Sequence, residues 1–428
     1  MKKLIKTYIK NPMLLILLLI LIFFTPMAIY SPGENKIKGV VTAIGIDKME
    51  EQYEVSLLTF IPTANQTYKQ QNAVISGKGE SVTEAIYNAQ LSMGRSIGLA
   101  HAKTTVVSED ILKQEDVAQV VDHISRISSL PENTVFICTN GKAKELLEST
   151  VALESELGLK LEQLIGFNAS NLYSIDTSLE AFYRGYYSDT HSSIIGELNL
   201  TDPSSQEEQN SSNSEPPSSG QSSGGGQSQS SGNGSSSGGG AEQGQSKGKK
   251  TISNQGESVI LKNGEMVAKL SSDQLNALNL INPKSINQII NIDDVSLEGG
   301  RHDLAYRVRN KRVLKSTKFE NGYPVFAAQV ILGLELTEVD GENQNLHKNT
   351  EMSKMTQEIK DKLNLKLKNS FTDALKILVT NKTDIIDITQ EFFRNDRKGF
   401  QKFIKGIDSV DEFIEHVNFK VAIIVAPD

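Results

Sequence analysis

Hydrophobic and polar positions repeat with two different periods along this chain, and the switches between them predict its elements. β-rich runs at Val40–Ile46 and Tyr53–Ile61 flank the polar stretch Asp47–Gln52, which predicts a hairpin turn there. A short strand is expected at Ala73–Ser76. Ser81 and Glu84 then stand at capping-box spacing, and Ala85, Ile86, Ala89 and Met93 recur at helical spacing, so a helix starts at this point. Strands are expected at Thr104–Val107 and Thr134–Cys138, separated by a helix whose Val117, Val120, Val121 and Ile124 share one face. Helical patterns continue at Lys142–Glu148, Glu156–Asn168 and Thr177–Arg184. Residues 37–200 thus read as one α/β or α+β unit.

A second unit, 256–428, opens with two apolar triplets, Val259–Leu261 and Met266–Ala268, around Asn263-Gly264. That dipeptide suits a type I′ hairpin, whose two central residues both need positive φ. Ser271 and Gln274 form another capping-box pair and start a short helix through Leu275 and Leu278. Leu304–Val308, Val313–Phe319 and Val325–Leu336 read as strands, the last two joined at Glu320-Asn321-Gly322. Met355, Ile359, Leu363, Leu367, Phe371, Leu375 and Leu378 trace one face of a long amphipathic helix, and Val417–Val425 is a closing strand. A sheet covered by that helix is the economical architecture, so the fold class is α+β with mostly antiparallel sheets.

Two segments fit neither period. Between Ser211 and Gly240, 22 of 30 residues are serine or glycine and no strong hydrophobe occurs, so residues 201–255 read as a flexible linker. A Gly/Ser coil of about 50 residues spans roughly 40 Å, which would let two folded units move independently. At the start, Lys2, Lys3, Lys6 and Lys10 precede an uncharged apolar run from Pro12 to Tyr30. A run of about 19 residues reaches across a hydrocarbon core, so residues 1–30 are expected to be an uncleaved membrane anchor with a cytoplasmic N-terminus.

Composition removes several function classes. The net charge of -8 disfavours a nucleic-acid binder that relies on a basic surface. A single cysteine, Cys138, excludes an intrachain disulfide framework and multi-cysteine metal sites. Its apolar strand context makes it a small core residue more readily than a nucleophile. The six histidines are scattered, and no GxxxxGK[ST], GxSxG, HExxH or GxGxxG pattern occurs; no catalytic group, metal or cofactor is implied. Gly77-Lys78-Gly79 could cradle an anion, but a tight turn leading to the Ser81 cap explains it more simply. Arg95, His101 and Lys103 follow the capped helix as a candidate partner contact, or as a solvated turn with a structural hydrogen bond. Arg307, Arg309, Lys311, Arg312, Lys315 and Lys318 alternate along strands, which would gather positive charge on one face for lipid headgroups or an acidic partner; a soluble sheet face is the plainer reading.

Thr42-Ala43-Ile44-Gly45-Ile46-Asp47-Lys48 followed by Tyr53-Glu54-Val55, then Gly79-Glu80-Ser81-Val82 with Glu84-Ala85, form an ordered set of short motifs. This set resembles the Ger(x)C, or GerAC, family, the C subunits of bacterial spore nutrient germinant receptors. The set continues through Gly94-Arg95, Leu99-Ala100-His101-Ala102-Lys103, the Arg126 region and Ala143-Lys144-Glu145-Leu146-Leu147. In the second unit Leu334-Glu335-Leu336-Thr337-Glu338, the long helix and the final strand are similar to the family's C-terminal domain.

The resemblance implies a non-enzymatic subunit on the outer side of the membrane, working with two integral-membrane partners, the A- and B-type receptor subunits. In a sporulating organism its location would be the spore inner membrane. No nucleic acid or small-molecule ligand is implied for this chain. Family members typically carry a lipidated cysteine followed by Trp-Asp, whereas this leader has no cysteine and the chain has no tryptophan. A spanning helix would substitute for the lipid. The alternative is an envelope interaction module of the same fold serving another membrane system.

Overall fold

The computed structural model describes residues 39–61, 71–128, 130–151, 176–201, 251–253, 257–282, 288–297, 300–339, 342–343 and 355–427. The expected anchor at 1–30, the helix expected at Glu156–Asn168 and most of the 201–255 tract lie outside these residues. Among the described residues no helix is long and apolar enough to cross a membrane.

The first half runs β1 (Gly39–Met49), β2 (Gln52–Ile61), β3 (Gln71–Gly79), α1 (Val82–Met93), β4 (Ile97–Gly98), β5 (Thr104–Ser108), α2 (Glu109–Gln114), α3 (Val117–Ser128), β6 (Val135–Thr139), α4 (Ala143–Val151), α5 (Leu179–Tyr186), β7 (Ser192–Glu197) and β8 (Asn199–Thr201). The second half runs β9 (Thr251–Ser253), β10 (Ser258–Lys262), β11 (Glu265–Leu270), α6 (Ser272–Asn279), β12 (Ile289–Leu297), β13 (Gly300–Glu320), β14 (Tyr323–Val339), β15 (Glu342–Asn343), α7 (Gln357–Thr380), α8 (Ile388–Asn395), α9 (Arg397–Ile404), α10 (Phe413–His416) and β16 (Asn418–Pro427).

The fold is α+β, but its two large sheets differ in pairing. The sheet of the second half follows the antiparallel expectation, and only β16 joins it in parallel, beside β14. The first half's sheet, in the order β11-β10-β7-β6-β5-β1-β2-β3, is mixed: β1, β5, β6 and β7 run parallel. Helices between β5 and β6 and between β6 and β7 supply the crossovers that parallel pairing needs.

Side chains alternate across this first sheet. Ile44, Ile46, Val55, Val107 and Phe136 enter one core with α1, α3 and α5, while Ala43, Leu58, Val106 and Ile137 meet Ala143, Leu146 and Leu147 of α4 on the other side. The turn after β1 is tighter than the polar run suggested. Met49 pairs with Gln52, leaving Glu50 and Glu51 as the loop, so Asp47 lies within the strand and is buried.

Independent motion of the halves is not what the structure shows. The hairpin that opens the second half, β10–β11, adds to the first half's sheet, with Val259 opposite Ile195 and Leu261 opposite Ser193 on β7. Val259 and Leu261 enter the first half's core, whereas Ile260 enters the second half's. All three are fully buried. At roughly 1.5–3 kcal/mol for each buried aliphatic side chain, this one strand holds the halves together more firmly than a coil could let them part.

Turn chemistry places both hairpins of the second half. Asn263 and Gly264 have φ of 52° and 82°, and Asn321 and Gly322 have 53° and 86°, as a type I′ turn requires. The two strands expected at Leu304–Val308 and Val313–Phe319 are one strand, β13, because its pairing with β14 continues through an irregularity between Val308 and Asn310. Helix α7 turns Ile359, Leu363, Leu367, Phe371, Leu375 and Leu378 onto the sheet, and Thr356 caps it through the Ile359 N–H.

Candidate functional site at the junction of the halves

The motifs that carry the family resemblance meet in space. Asp47 Oδ1 accepts the Ala143 N–H at 2.7 Å and Oδ2 accepts the Lys144 N–H at 2.9 Å, so a strand carboxylate caps the start of α4. The Lys144 ammonium then reaches Glu54 at 2.7 Å. Burial raises the Asp47 carboxyl above its ordinary value, against the lowering effect of the two N–H donors. The hydrogen bond to Glu54 raises Lys144. Gly45 makes the close approach possible: a Cβ there would lie 3.1 Å from both Ala143 Cβ and a Leu147 methyl. Removing the Asp47 carboxylate would orphan two N–H groups, at a cost of about 2–4 kcal/mol.

The Gly77-Lys78-Gly79 stretch has an equally structural use, in strand β3 and not in a turn. A Cβ on Gly77 would fall 2.2 Å from the Ala89 nitrogen, and one on Gly79 would fall 2.6 Å from the Ala85 nitrogen, so α1 seats directly on the glycine backbone. Ser81 caps α1 as expected through the Glu84 N–H, but Glu84 reaches back to the Glu80 N–H, one residue before the cap.

Polar groups concentrate where the halves join. Lys262, at the end of β10, donates to the Thr190 carbonyl at 2.6 Å and the Lys382 carbonyl at 2.9 Å, and lies 2.8 Å from Asp411. One ammonium therefore ties the segment before β7 to the α7–α8 connection and the turn before α10. Asp384, buried, accepts the N–H groups of Ile388 and Thr389 at 2.9 and 2.6 Å and caps α8, while its own N–H donates to Ser192 Oγ across the junction. Burial raises its carboxyl despite these donors. Lys269 on β11 contacts Glu109 at 2.7 Å and Glu197 at 2.9 Å; burial opposes the ammonium, but the two carboxylates hold it above its ordinary value.

A cleft of about 490 Å³ opens beside this junction, between α5 and the segment Asp384–Arg394. Arg184, Tyr187, Asn279, Asp387, Gln390 and Arg394 line it. Its charges are largely spoken for: Arg184 faces Asp176 at 3.5 Å and Glu180 at 3.6 Å, and Arg394 donates to Gln390.

The residues singled out from the sequence occupy the opposite role, on the surface. Arg95 precedes β4, and His101 and Lys103 follow it; all three are exposed in the loops where β4 meets the start of β1. The Lys103 backbone is structural, since its N–H donates to Thr42 and its carbonyl accepts from Val135. Cys138 is buried, and burial pushes its thiol well above the ordinary range. Among the described residues no group of three or more His, Cys, Asp or Glu side chains is placed to hold a metal.

The basic strand is divided, not one-sided. Period-2 alternation itself sets Lys311 and Lys315 on the helix-covered face and Arg312 and Lys318 on the other, and the irregularity at Arg309 leaves Arg307 on the face opposite Lys311. Lys315 pairs with Glu391, Lys318 with Glu320 and Arg309 with Glu335. The roles of Lys262 and Asp47 escaped sequence reasoning because their partners lie far along the chain, whereas Asp384, four residues before Ile388 of α8, caps locally.

The chain is thus an α+β protein of two halves fused through one sheet, in which Asp47, Lys262, Lys269 and Asp384 serve as caps or braces. Residues 38–200 match the family described as "Spore germination protein N-terminal domain", and residues 255–426 match "Spore germination B3/ GerAC like, C-terminal". It belongs to the GerAC family of spore germination proteins. Two relatives come from Bacillus subtilis (strain 168). The putative spore germination protein YfkR is 29% identical over 131 residues, 28% of this chain and 33% of the relative. Spore germination protein KC is 23% identical over 139 residues, 30% of this chain and 34% of the relative. The matched stretches span about a third of either relative's length. The crystal structure of the GerBC protein aligns with 89% of this chain and 96% of its own, at a TM-score of 0.45 and 15% identity.

Proposed function

We propose that this chain is a non-enzymatic, membrane-anchored, extracytoplasmic subunit of a germinant-receptor-like complex, working through contacts with A- and B-type integral-membrane subunits. The observation that carries this reading is that both halves match the family in order, with only the Ser/Gly-rich tract between them. The lysine-flanked apolar run in residues 1–30 supports a spanning anchor that leaves the rest outside the cytoplasm, at the inner membrane of the spore in a sporulating host. The cores at 37–200 and 256–428 act as one coupled body.

Arg95, His101 and Lys103 are proposed as one contact with a partner. Their exposure at one end of β1 supports this, and none is cast as acid, base or nucleophile. The test is affinity purification of the intact protein from mild detergent, with mass-spectrometric identification of what accompanies it. Recovery of two integral-membrane germination subunits, reduced when Arg95 and Lys103 are both changed to Glu in a chain of unchanged stability, is the expected result. Hydrolysis of an envelope substrate by the purified chain, abolished by one substitution that leaves stability and assembly intact, would replace this reading with an enzymatic one.

A further inference from the structure

Helix α9 buries one side and charges the other. Phe400 and Phe403 stack against Phe413 at centroid separations of 5.0 and 5.7 Å, and Ile404 packs on the same core. At 3.6 residues per turn this sets Arg397, Lys398, Gln401, Lys402 and, at the helix end, Lys405 on the opposite side, where all are exposed. Arg394, exposed in the last turn of α8, extends the surface. Residues 394–405 thus carry five basic side chains and one acid, in a chain whose net charge is -8.

These cations differ from the basic residues of β13 in lacking acids to neutralise them. Among the described residues none of the five forms an ion pair: Arg394 donates to Gln390 at 3.2 Å, and Arg397 lies over the Phe393 ring, 5.2 Å from its centroid. Asp396, the acid within the stretch, caps α9 through the Gly399 N–H at 2.9 Å. Acids on the turn before α10 and on α10 are engaged elsewhere, Asp411 with Lys262 and both Glu412 and Glu415 with Lys382. Asp408, exposed just past the helix, offsets one charge. Lys398 and Lys402 stand one turn apart, a spacing at which like charges repel, so local stability does not account for the cluster.

We propose that this face of α9 rests on an anionic lipid surface, its basic side chains among the phosphates and Phe393, 38% exposed, entering the headgroup layer beside Arg397. The inference rests on the membrane-anchored reading for bringing a bilayer beside the chain, and adds which surface meets it. Lipid suits the face better than an acidic protein. Three of the five cations are lysines, point charges on flexible stems that meet phosphates at variable positions, and α9 offers no strand edge whose backbone would fix the register of a peptide. The rest of the chain is more acidic than the whole, so the charge asymmetry itself turns this face toward a negative surface.

The test uses the full chain with one introduced cysteine carrying an NBD fluorophore, reconstituted into vesicles of phosphatidylcholine alone or mixed with phosphatidylglycerol. Cys138 is buried and its thiol is raised, which leaves the introduced cysteine as the site of labelling. Gln401→Cys places the probe within the basic face, and Leu365→Cys places a reference on α7, at a side chain 60% exposed. A nitroxide on the lipid headgroup should quench the Gln401 probe strongly in the mixed vesicles and weakly in phosphatidylcholine, and the Leu365 probe weakly in both. Loss of one basic residue lowers the docked-to-free ratio about fivefold, so Arg397→Glu with Lys402→Glu should lower it about twenty-five-fold or more. Lys398→Gln with Lys405→Gln is a second, neutral pair, and a thermal melt checks that both variants stay folded. Salt at about 0.5 M, which shortens screening to about 4–5 Å, should release the face. Equal quenching at Gln401 in the two lipid mixtures, equal quenching at Gln401 and Leu365, or no change in either charge variant would overturn the proposal. So would displacement of the face by a stoichiometric amount of a Glu-rich peptide, which would assign it to an acidic protein. Flotation separates the two readings. A chain that floats with both vesicle types without quenching at Gln401 refutes the face alone; flotation with the mixed vesicles only supports the face and refutes the anchor; flotation with neither refutes both.

Discussion

Replacing Lys262 with Met tests whether the two halves are one cooperative body. The ammonium donates to two carbonyls, at 2.6 and 2.9 Å, in three different stretches of chain counting Asp411 at 2.8 Å. Its side chain is 13% exposed and that of Asp411 25% exposed, and the Asp411 oxygen facing the ammonium is shielded from solvent. Met keeps the aliphatic stem. What is lost is two charge-assisted hydrogen bonds, and a carboxylate oxygen shielded from solvent is left without its cation. At about 1 kcal/mol for each bond and about 1 kcal/mol for the carboxylate left without its cation, the destabilisation should be about 3 kcal/mol. With an m-value of about 3 kcal/mol/M in urea, the midpoint moves down by about 1 M at unchanged m. Circular dichroism reports helices of both halves, and tyrosine fluorescence serves because the chain has no tryptophan. Both probes should fall on one transition in the parent and the variant. A midpoint within about 0.2 M of the parent, the resolution of such curves, or two transitions of which only one moves, would refute the reasoning.

Two further outcomes follow from the same junction and its neighbours. A single cut within the Ser/Gly tract should leave both fragments co-eluting on gel filtration under native conditions, since β10 is registered on β7 along its whole length; separate elution would show that the shared sheet does not hold. Burial, with the charge of Lys315 adding to it, lowers Lys311 from 10.5 to about 8, so between those pH values the unfolded chain binds more protons and stability rises with pH. Lys311→Met should flatten that rise and add about 1 kcal/mol at pH 7, a figure reduced for the lysine's partial exposure and for the lost bond to the Asn279 carbonyl. Urea midpoints from pH 7 to 10.5 read both effects, and an unchanged slope would remove Lys311 as their source.

Local chemistry was legible from the sequence and non-local pairing was not. Asn263-Gly264, Asn321-Gly322, the Ser271–Gln274 box and the α7 stripe each act within a few residues, and each is found where its pattern puts it. Asp47 looked like a turn residue because Asp favours turns; its burial depends on α4, almost a hundred positions away. The charge stripe on β13 divides by parity alone, Lys311 and Lys315 against Arg312 and Lys318, and the irregularity near Arg309 adds only a switch of face between Arg307 and Lys311. Strand β7, rich in serine, lacks the β-branched run that marks a strand, yet it is the seam on which β10 lies. Arg95, His101 and Lys103 were visible as a cluster in sequence, while the Lys262 brace joins segments that only the fold brings together.

The Ser/Gly-rich tract takes on a different meaning once its ends are seen. β8 and β9 pair with each other, Leu200 opposite Ile252 and Thr201 opposite Thr251, so residues 202–250 leave and re-enter the fold at one place. A tether between moving domains would need its ends on separate bodies; here both ends are held by a two-stranded stem, just before the chain enters β10 of the shared sheet. The entropy of closing such a loop grows only logarithmically, by about 0.6 kcal/mol for each doubling of length, so a long polar insertion costs the fold little. Tract length and domain coupling are therefore separate quantities. Composition governs the first, whereas the second is governed by Val259, Ile260 and Leu261, whose side chains face two cores from one strand.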